Sequence, residues 1–389
     1  MQKLFVDTPE ALQDLCLQLE HSSWLALDTE FMREKTYYPE FCLLQISDGK
    51  ITACVDPLSI EDLAPLKKVL FDERITKVFH AAKQDLEILY LLWGALPSPV
   101  FDTQLAATLF GLGDQIGYAN LVEQLLNKRL AKGHTRTDWS RRPLDDAQVR
   151  YAFDDVIDLG QVYEKLAARL EAKDRTHWLD ADFRDLSDPE TYMNRPEEAW
   201  SRVKGNQHLK GLELAVLQSL AEWREKEAQH SDKPKRWILK DEVLIDLARR
   251  QPSTTDLLSR IRGIESGVIR RRGDLLLQLV QKARERPEES WPKSRKTLKR
   301  LTPNQEAITD LLACALRLIG EENGVTASAL GTRKELERLV SGDEQVPLLH
   351  GWRKEVAGDS LLDVLAGTTV PRLVDGKLQL RSSQQDGTR

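Results

Sequence analysis

Cysteine is scarce in this 389-residue chain: Cys16, Cys42, Cys54 and Cys314 are scattered, with no Cys-x-x-Cys pair and no Cys/His cluster. That excludes a disulfide framework and a structural zinc site of ordinary spacing, and it fits reduced, partly buried thiols. Long apolar runs are also missing, none approaching the roughly 20 residues that cross a bilayer. The opening Met-Gln-Lys-Leu-Phe-Val has neither a basic start nor a cleavage region, so the expected location is the cytoplasm, with no membrane partner. Net positive charge is lacking too, and a value of −6 argues, taken whole, against a polyanionic partner.

The average conceals an asymmetry. Residues 210–300 carry 22 Lys and Arg against 14 Asp and Glu, which leaves −14 on the remainder. An acidic part able to hold cations, joined to a basic part able to hold phosphates, suits a metal-dependent nuclease. Apolar residues at 41% and charged residues at 30% describe a globular protein. At roughly 150 residues per domain, the length allows two or three.

The first third reads as mixed α/β. A helical stretch (8–19) precedes an apolar run short enough to be a strand (24–31). Two further runs (41–47 and 51–55) flank Ser47-Asp48-Gly49-Lys50, and Asp-Gly between apolar runs signals a hairpin. Strand and helix then alternate, in the order βββαβαβα, and a long helix follows at 145–170. Asp145 is placed as its N-cap, with Gln148 as the capping-box partner. From 210 onward the periodicity is helical throughout, in two sets of similar plan separated by the Pro- and charge-rich stretch 287–300. The C-terminal tail, bounded at 371, is expected to be disordered from Arg381 on.

The most informative segment is Leu27-Asp28-Thr29-Glu30-Phe31. Strand side chains alternate, so Asp28 and Glu30 project together, on the face that also holds Trp24 and Ala26. Two adjacent carboxylates on a half-apolar strand repel and lose solvation unless a cation neutralises them. The alternative is an edge strand with both acids in solvent. Tyr151 and Asp155 stand one turn apart and share a helix face beside the stripe Ala152, Val156, Leu159, Tyr163 and Leu166. Tyr151 is equally readable as a core-edge aromatic, and Asp154 and Asp158 as solvent-facing. Asp85 opens a helix and Asp102 has N-cap surroundings; spacing alone does not choose between them.

The ordered segments DTEF, HAAKQDLE, FDTQLAA, TDWSRRPL and YAFDDV resemble the DEDD 3′–5′ exonucleases, specifically the tyrosine-containing subgroup, with the ribonuclease D family the best match. Residues 210–286 resemble an HRDC domain, the helical module shared with RecQ-type helicases. The fold implied is an α/β ribonuclease-H-like exonuclease domain, a mixed sheet flanked by helices, followed by two all-α HRDC-type domains. Boundaries on this reading are 1–175 for the exonuclease, 176–209 for a linker with short helices and 210–290 for the first HRDC domain. A second linker (291–302), a divergent HRDC-like domain (303–370) and the tail (371–389) follow. One departure is that Ala81 and Ala82 stand where many members have Asn shortly before the middle acid.

The resemblance implies two divalent metal ions, Mg²⁺ or Mn²⁺, held by Asp28, Glu30, Asp85 and Asp155, with Tyr151 orienting the attacking water, and no organic cofactor. It selects Asp85 over Asp102. It also implies RNA as partner, precursor tRNA in particular, nucleoside 5′-monophosphates as products and a monomer as sufficient. Phe31 is a candidate stacking residue, with ordinary core as the alternative. Arg141 and Arg142 are candidate phosphate contacts, with salt bridges as the alternative. Arg270, Arg271, Arg272 and the run 293–300 would track the RNA backbone. The same acids would serve a DNA-directed exonuclease, and a non-catalytic RNA-binding adaptor on this fold is the remaining alternative.

Overall fold

The computed structural model describes residues 2–130, 137–293 and 301–383. Contacts divide these into two compact units, one of residues up to Glu30, Phe41–Tyr192 and from Leu301 on, the other of Phe31–Glu40 and from Met193.

In the first unit, strands β1 (Gln2–Val6), β2 (Trp24–Met32), β3 (Glu40–Ser47), β4 (Ile51–Val55), β5 (Thr76–Phe79) and β6 (Val100–Asp102) form one sheet in the order β1-β4-β3-β2-β5-β6. The β3–β4 pair is antiparallel around the Asp-Gly turn, while β1–β4, β2–β5 and β5–β6 run parallel. The mixed sheet matches expectation except for β1. That edge strand buries only Val6, so its composition carries no core signal.

Helices α1 (Pro9–Leu19), α2 (Ala64–Leu70) and α3 (Lys83–Trp93) cover one sheet face, burying Leu12, Leu66 and Leu86 against Leu25 and Leu27 of β2. The other face takes α4 (Thr103–Thr108), α5 (Tyr118–Leu126) and the long α6 (Asp146–Ala172). Val156, Leu159, Val162 and Leu166 of α6 share a cluster there with Trp24 and Ala26, the alternate residues of the same strand.

The segment read as a linker from 176 continues this body. Trp178 and Leu179, then α7 (Asp180–Leu186), join its apolar clusters through Phe183 and Leu186.

The second unit is helical: α8 (Leu212–Ser231), the short α9 (Lys235–Ile238), α10 (Asp241–Arg250), α11 (Thr255–Ser259) and α12 (Ser266–Arg284). Its core joins Leu217 and Leu220 of α8 to Val243 and Leu247 of α10 and Leu276 and Val280 of α12.

The last helices, α13 (Pro303–Asn323), α14 (Ala327–Leu330), α15 (Arg333–Val340), α16 (Gly351–Arg353) and α17 (Asp359–Ala366), return to the first unit. Leu312, Leu316, Ile319, Leu336 and Leu361 lie in the same apolar cluster as α6. Trp352 stacks on Trp178 at 4.4 Å and 3° and donates from Nε1 to the Trp178 carbonyl, while Arg175 donates to the carbonyls of Leu109 and Asn323.

The segment read as a tail from 371 instead contributes to a hairpin, β7 (Thr369–Val374) and β8 (Lys377–Ser382). Asp375 and Gly376 both have positive φ at its turn, the conformation that Asp-Gly favours. The stretch 294–300, and with it most of the second linker and of the basic run ending at Arg300, lies outside the described residues.

Candidate metal centre and catalytic residues

Strand alternation in β2 sends Leu25 and Leu27 into one apolar cluster and Trp24, Ala26, Asp28 and Glu30 to the opposite face. Across that face lies α6, whose start is fixed by the expected capping box. The Asp145 carboxylate accepts the Ala147 and Gln148 N–H groups, and the Gln148 side chain accepts the Asp145 N–H. Further along, α6 approaches the sheet closely at Gly160, where a Cβ would stand 2.3 Å from Cη2 of Trp24. These contacts set the height of Asp155 over the strand.

Carboxylate oxygens of Asp28, Glu30 and Asp155 converge to within 4.8 Å of one another. Among the described residues no other trio of His, Cys, Asp or Glu brings ligand atoms so close. Burial is the first cause of high pKa values throughout: it raises Asp28 well above the usual carboxylate range, reinforced by Asp155. Glu30 is pushed up to about 9 by burial and then by Asp28, Asp155 and Asp85. Asp155 reaches about 7, burial outweighing the hydrogen bond from Tyr151.

Tyr151 donates that bond from one turn before Asp155, and its own hydroxyl is held neutral by burial and by the surrounding acids. Trp139, 4% exposed, packs its ring 6.2 Å from that of Tyr151.

The two acids left open by spacing have different duties. Asp102 is a brace: its carboxylate accepts from the N–H groups of Gln104 and Leu105 as the N-cap of α4, and from those of Ala81 and Ala82. Ala81 has φ 60, a left-handed conformation that Asn adopts more readily, at the place where the family pattern often has Asn. Asp85 is 7% exposed in the first turn of α3 and accepts the Thr29 hydroxyl at 2.5 Å. Burial and Asp28 raise its pKa, and that hydroxyl partly offsets them. It stands outside the tight trio while still acting on Glu30.

The remaining candidates divide. Phe31 is half-buried and Arg141 is exposed. Arg142 does not reach for phosphate: its five N–H groups go to both carboxylate oxygens of Asp56 and to the carbonyls of Cys42, Trp139 and Arg141. The salt-bridge alternative is the one realised, and it ties the approach to α6 onto the end of β4. Arg272 is likewise engaged, with Glu227 and the Trp223 ring, whereas Arg270 and Arg271 are exposed. Asp158 is buried and paired with Lys128, contrary to its solvent-facing reading; Asp154 is exposed as expected.

Tyr118 carries no motif signal. Its hydroxyl is buried without a hydrogen-bond partner, and after burial its largest influences are Asp158, Asp155 and Asp28.

The donor set fits a divalent cation. It consists of hard carboxylate oxygens, taken out of water and crowded by like charge, and Oδ2 of Asp155 is buried with no hydrogen-bond partner.

Comparison with known proteins gives a 3′-5′ exonuclease family model matching residues 4–171 and an HRDC domain model matching residues 213–280. A ribonuclease D of Gluconacetobacter diazotrophicus is 39% identical over 389 residues, covering 99% of this chain and 95% of that one. One of Acidiphilium cryptum is 38% identical over 94% of each. The crystal structure of Escherichia coli RNase D, described as an exoribonuclease involved in structured RNA processing, superposes with a TM-score of 0.82. It is 33% identical, covering 94% of this chain and 99% of that one.

Proposed function

The chain belongs to the ribonuclease D family, and from that we propose that it trims the 3′ ends of precursor tRNA and other small RNAs, releasing nucleoside 5′-monophosphates. It is a 3′-5′ exoribonuclease, a hydrolase of phosphodiester bonds. The observation that carries the reading is the convergence of Asp28, Glu30 and Asp155.

Asp28, Glu30 and Asp155 would hold one divalent ion, and Asp28, with Asp85 acting through water, a second, either Mg²⁺ or Mn²⁺. Such ions, when bound, supply an acidified water and neutralise charge on the reacting phosphate and the leaving 3′ oxygen. The protein's part is placement. Tyr151 orients the attacking water from the position where it bonds Asp155, and the Thr29 hydroxyl fixes Asp85. Phe31 adjoins Glu30 and meets the terminal base, and Arg141 meets a phosphate. No helix among the described residues is long and apolar enough to cross a membrane, and the proposed setting is a monomer in the cytoplasm.

The test is incubation of tRNA carrying extra 3′ residues, and of matching single-stranded DNA, with Mg²⁺ or with EDTA. Stepwise 3′ shortening of the RNA only with metal, with 5′-monophosphates released, is expected. Intact RNA with Mg²⁺ present sinks the reading, and faster loss of the DNA moves it to a DNA exonuclease.

A further inference from the structure

The hairpin of β7 and β8 has one outer edge interrupted and one open. Its two-residue turn, Asp375-Gly376, makes Val374 and Lys377 a hydrogen-bonded pair. At the other end Ser383 donates its N–H to the Thr368 carbonyl at 2.9 Å. Both ends set the same phase, in which 370, 372 and 374 bond across to 381, 379 and 377. The residues between them turn their backbone groups outward. On β7 these include Pro371, which has no N–H to offer there. On β8 they include Leu378 and Leu380, each with a free donor and acceptor. β8 pairs with β7 alone, and among the described residues nothing bonds those groups.

The side chains sort by the same alternation. Pro371, Leu373, Leu378 and Leu380 share one face of the hairpin. Leu380 packs into the apolar cluster that includes α6, whereas Leu378 is 38% and Leu373 71% exposed. Lys377, Gln379 and Arg381 occupy the other face, with both cations exposed and the Arg381 guanidinium donating to Oε1 of Gln379.

An open strand edge takes an extended segment, the conformation that returns a donor and an acceptor to every second residue. Charge decides whose segment it is. A second copy could bring up its own β8 antiparallel, with Leu378 opposite Leu380, the register that joins the apolar faces. Lys377 would then stand opposite the Arg381 of that copy, and like charges opposed across strands are destabilising. A strand with carboxylates at those places reverses the sign, and its residues opposite Leu378 and Leu380 would be apolar.

We propose that β8 is a docking edge for an extended segment of another protein in which apolar and acidic residues alternate. The segment adds antiparallel to β8, bonds Leu378 and Leu380 and is selected by Lys377 and Arg381. None of these residues belongs to the metal centre, so the nuclease is tethered with its acids free.

The experiment is fluorescence-anisotropy titration of the full-length protein against a fluorescein-labelled peptide of six residues, the length of β8, alternating glutamate and valine. The same peptide N-methylated at its valines, whose N–H groups would face β8, and a lysine–valine counterpart are titrated beside it. Saturable binding of the acidic peptide, lost on N-methylation and on reversal of its charge, is expected. Leu378→Pro removes only an outward N–H and should weaken binding roughly 3- to 10-fold, the worth of one backbone bond. Lys377→Glu combined with Arg381→Glu should move the preference to the lysine peptide. Mn²⁺-dependent hydrolysis of thymidine 5′-p-nitrophenyl phosphate should be unchanged in these variants. No saturable binding by the wild type, or N-methylated peptide bound within about twofold of its parent, overturns the proposal without relying on any variant. A dimer in sedimentation velocity that Leu378→Pro dissociates overturns it in favour of a second copy.

Discussion

The Thr29 hydroxyl donates to Oδ1 of Asp85 at 2.5 Å, across 56 residues of sequence. The residue between two acids of the metal centre thus orients a third. Thr29→Val keeps the shape and removes the donor, leaving a buried carboxylate short of one bond. A loss of about 10- to 100-fold in kcat, with little change in KM, is expected from the worth of a hydrogen bond to a charged group. Steady-state kinetics on a short oligoribonucleotide checks it, and an unchanged kcat would show that Asp85 needs no such support.

Asp28→Asn and Asp155→Ala should each abolish Mg²⁺-dependent turnover while the protein stays folded and retains RNA. Tyr151→Phe should be milder, about 10²- to 10⁴-fold in rate, the range for a positioned proton-handling group. Normal activity in either purified acid variant would falsify the assigned centre.

The raised carboxyl pKa values make a signed prediction for the metal-free protein. Between the ordinary carboxylate range near 4 and the folded value of Glu30, about 9, the folded state binds more protons than the unfolded one. Stability contributed by this cluster is therefore greatest at low pH and falls as pH rises through that window. Metal binding above neutrality should reverse the fall and release protons where they remain bound. Thermal melts across pH with EDTA or Mn²⁺, and calorimetry in buffers of different ionisation enthalpy, test both. Glu30→Gln should flatten the metal-free profile; a melting temperature that rises between pH 5 and 9 in EDTA contradicts the argument.

Arg142 and Asp56 make the opposite case. Burial disfavours the Asp56 carboxylate, but the Arg142 guanidinium, the Leu58 N–H and the Ser59 hydroxyl outweigh it and lower its pKa. The pair's stabilisation is complete above about pH 4 and is lost as pH falls through the lowered folded value. Arg142→Ala leaves a carboxylate of 2% side-chain exposure unpaired, and a loss of about 3 kcal/mol is expected in urea unfolding. A phosphate contact would instead change the salt dependence of KM and spare stability.

Residues 301–383 share the apolar cluster of α6, so they are part of the nuclease body and not an appended affinity module. Removing them should strip cover from Leu159, Val162 and Leu166 and produce an aggregating protein. Trp352→Ala should cost roughly 2 kcal/mol by losing the stack on Trp178. A soluble truncated chain with an unchanged melting temperature would restore the modular view.

What the sequence made legible was local. Alternation placed Asp28 beside Glu30, helical spacing placed Tyr151 beside Asp155, and Asp145 with Gln148 marked the start of α6. Pairings between distant segments were not legible: neither Thr29 with Asp85 nor Arg142 with Asp56 has a linear signature, and Tyr118 reaches the acids only through packing. β1 was missed because an edge strand need not alternate. The hairpin around Asp375-Gly376 did carry a signal, an Asp-Gly turn between Leu373 and Leu378, which the charged C-terminal composition obscured.

The bond from Tyr37 to Glu225 spans 188 residues, and the cluster beneath Asp155 is closed by side chains as late as Leu361 and Val364. At ordinary translation speeds, roughly 10–40 s separate synthesis of the loop after Glu30 from that of its partner on α8. The strand bearing Asp28 leaves the ribosome long before the body that fixes it is complete. An enzyme that erodes RNA from a free end thus has the support of its metal-binding helix completed only when Leu361 and Val364 have been added.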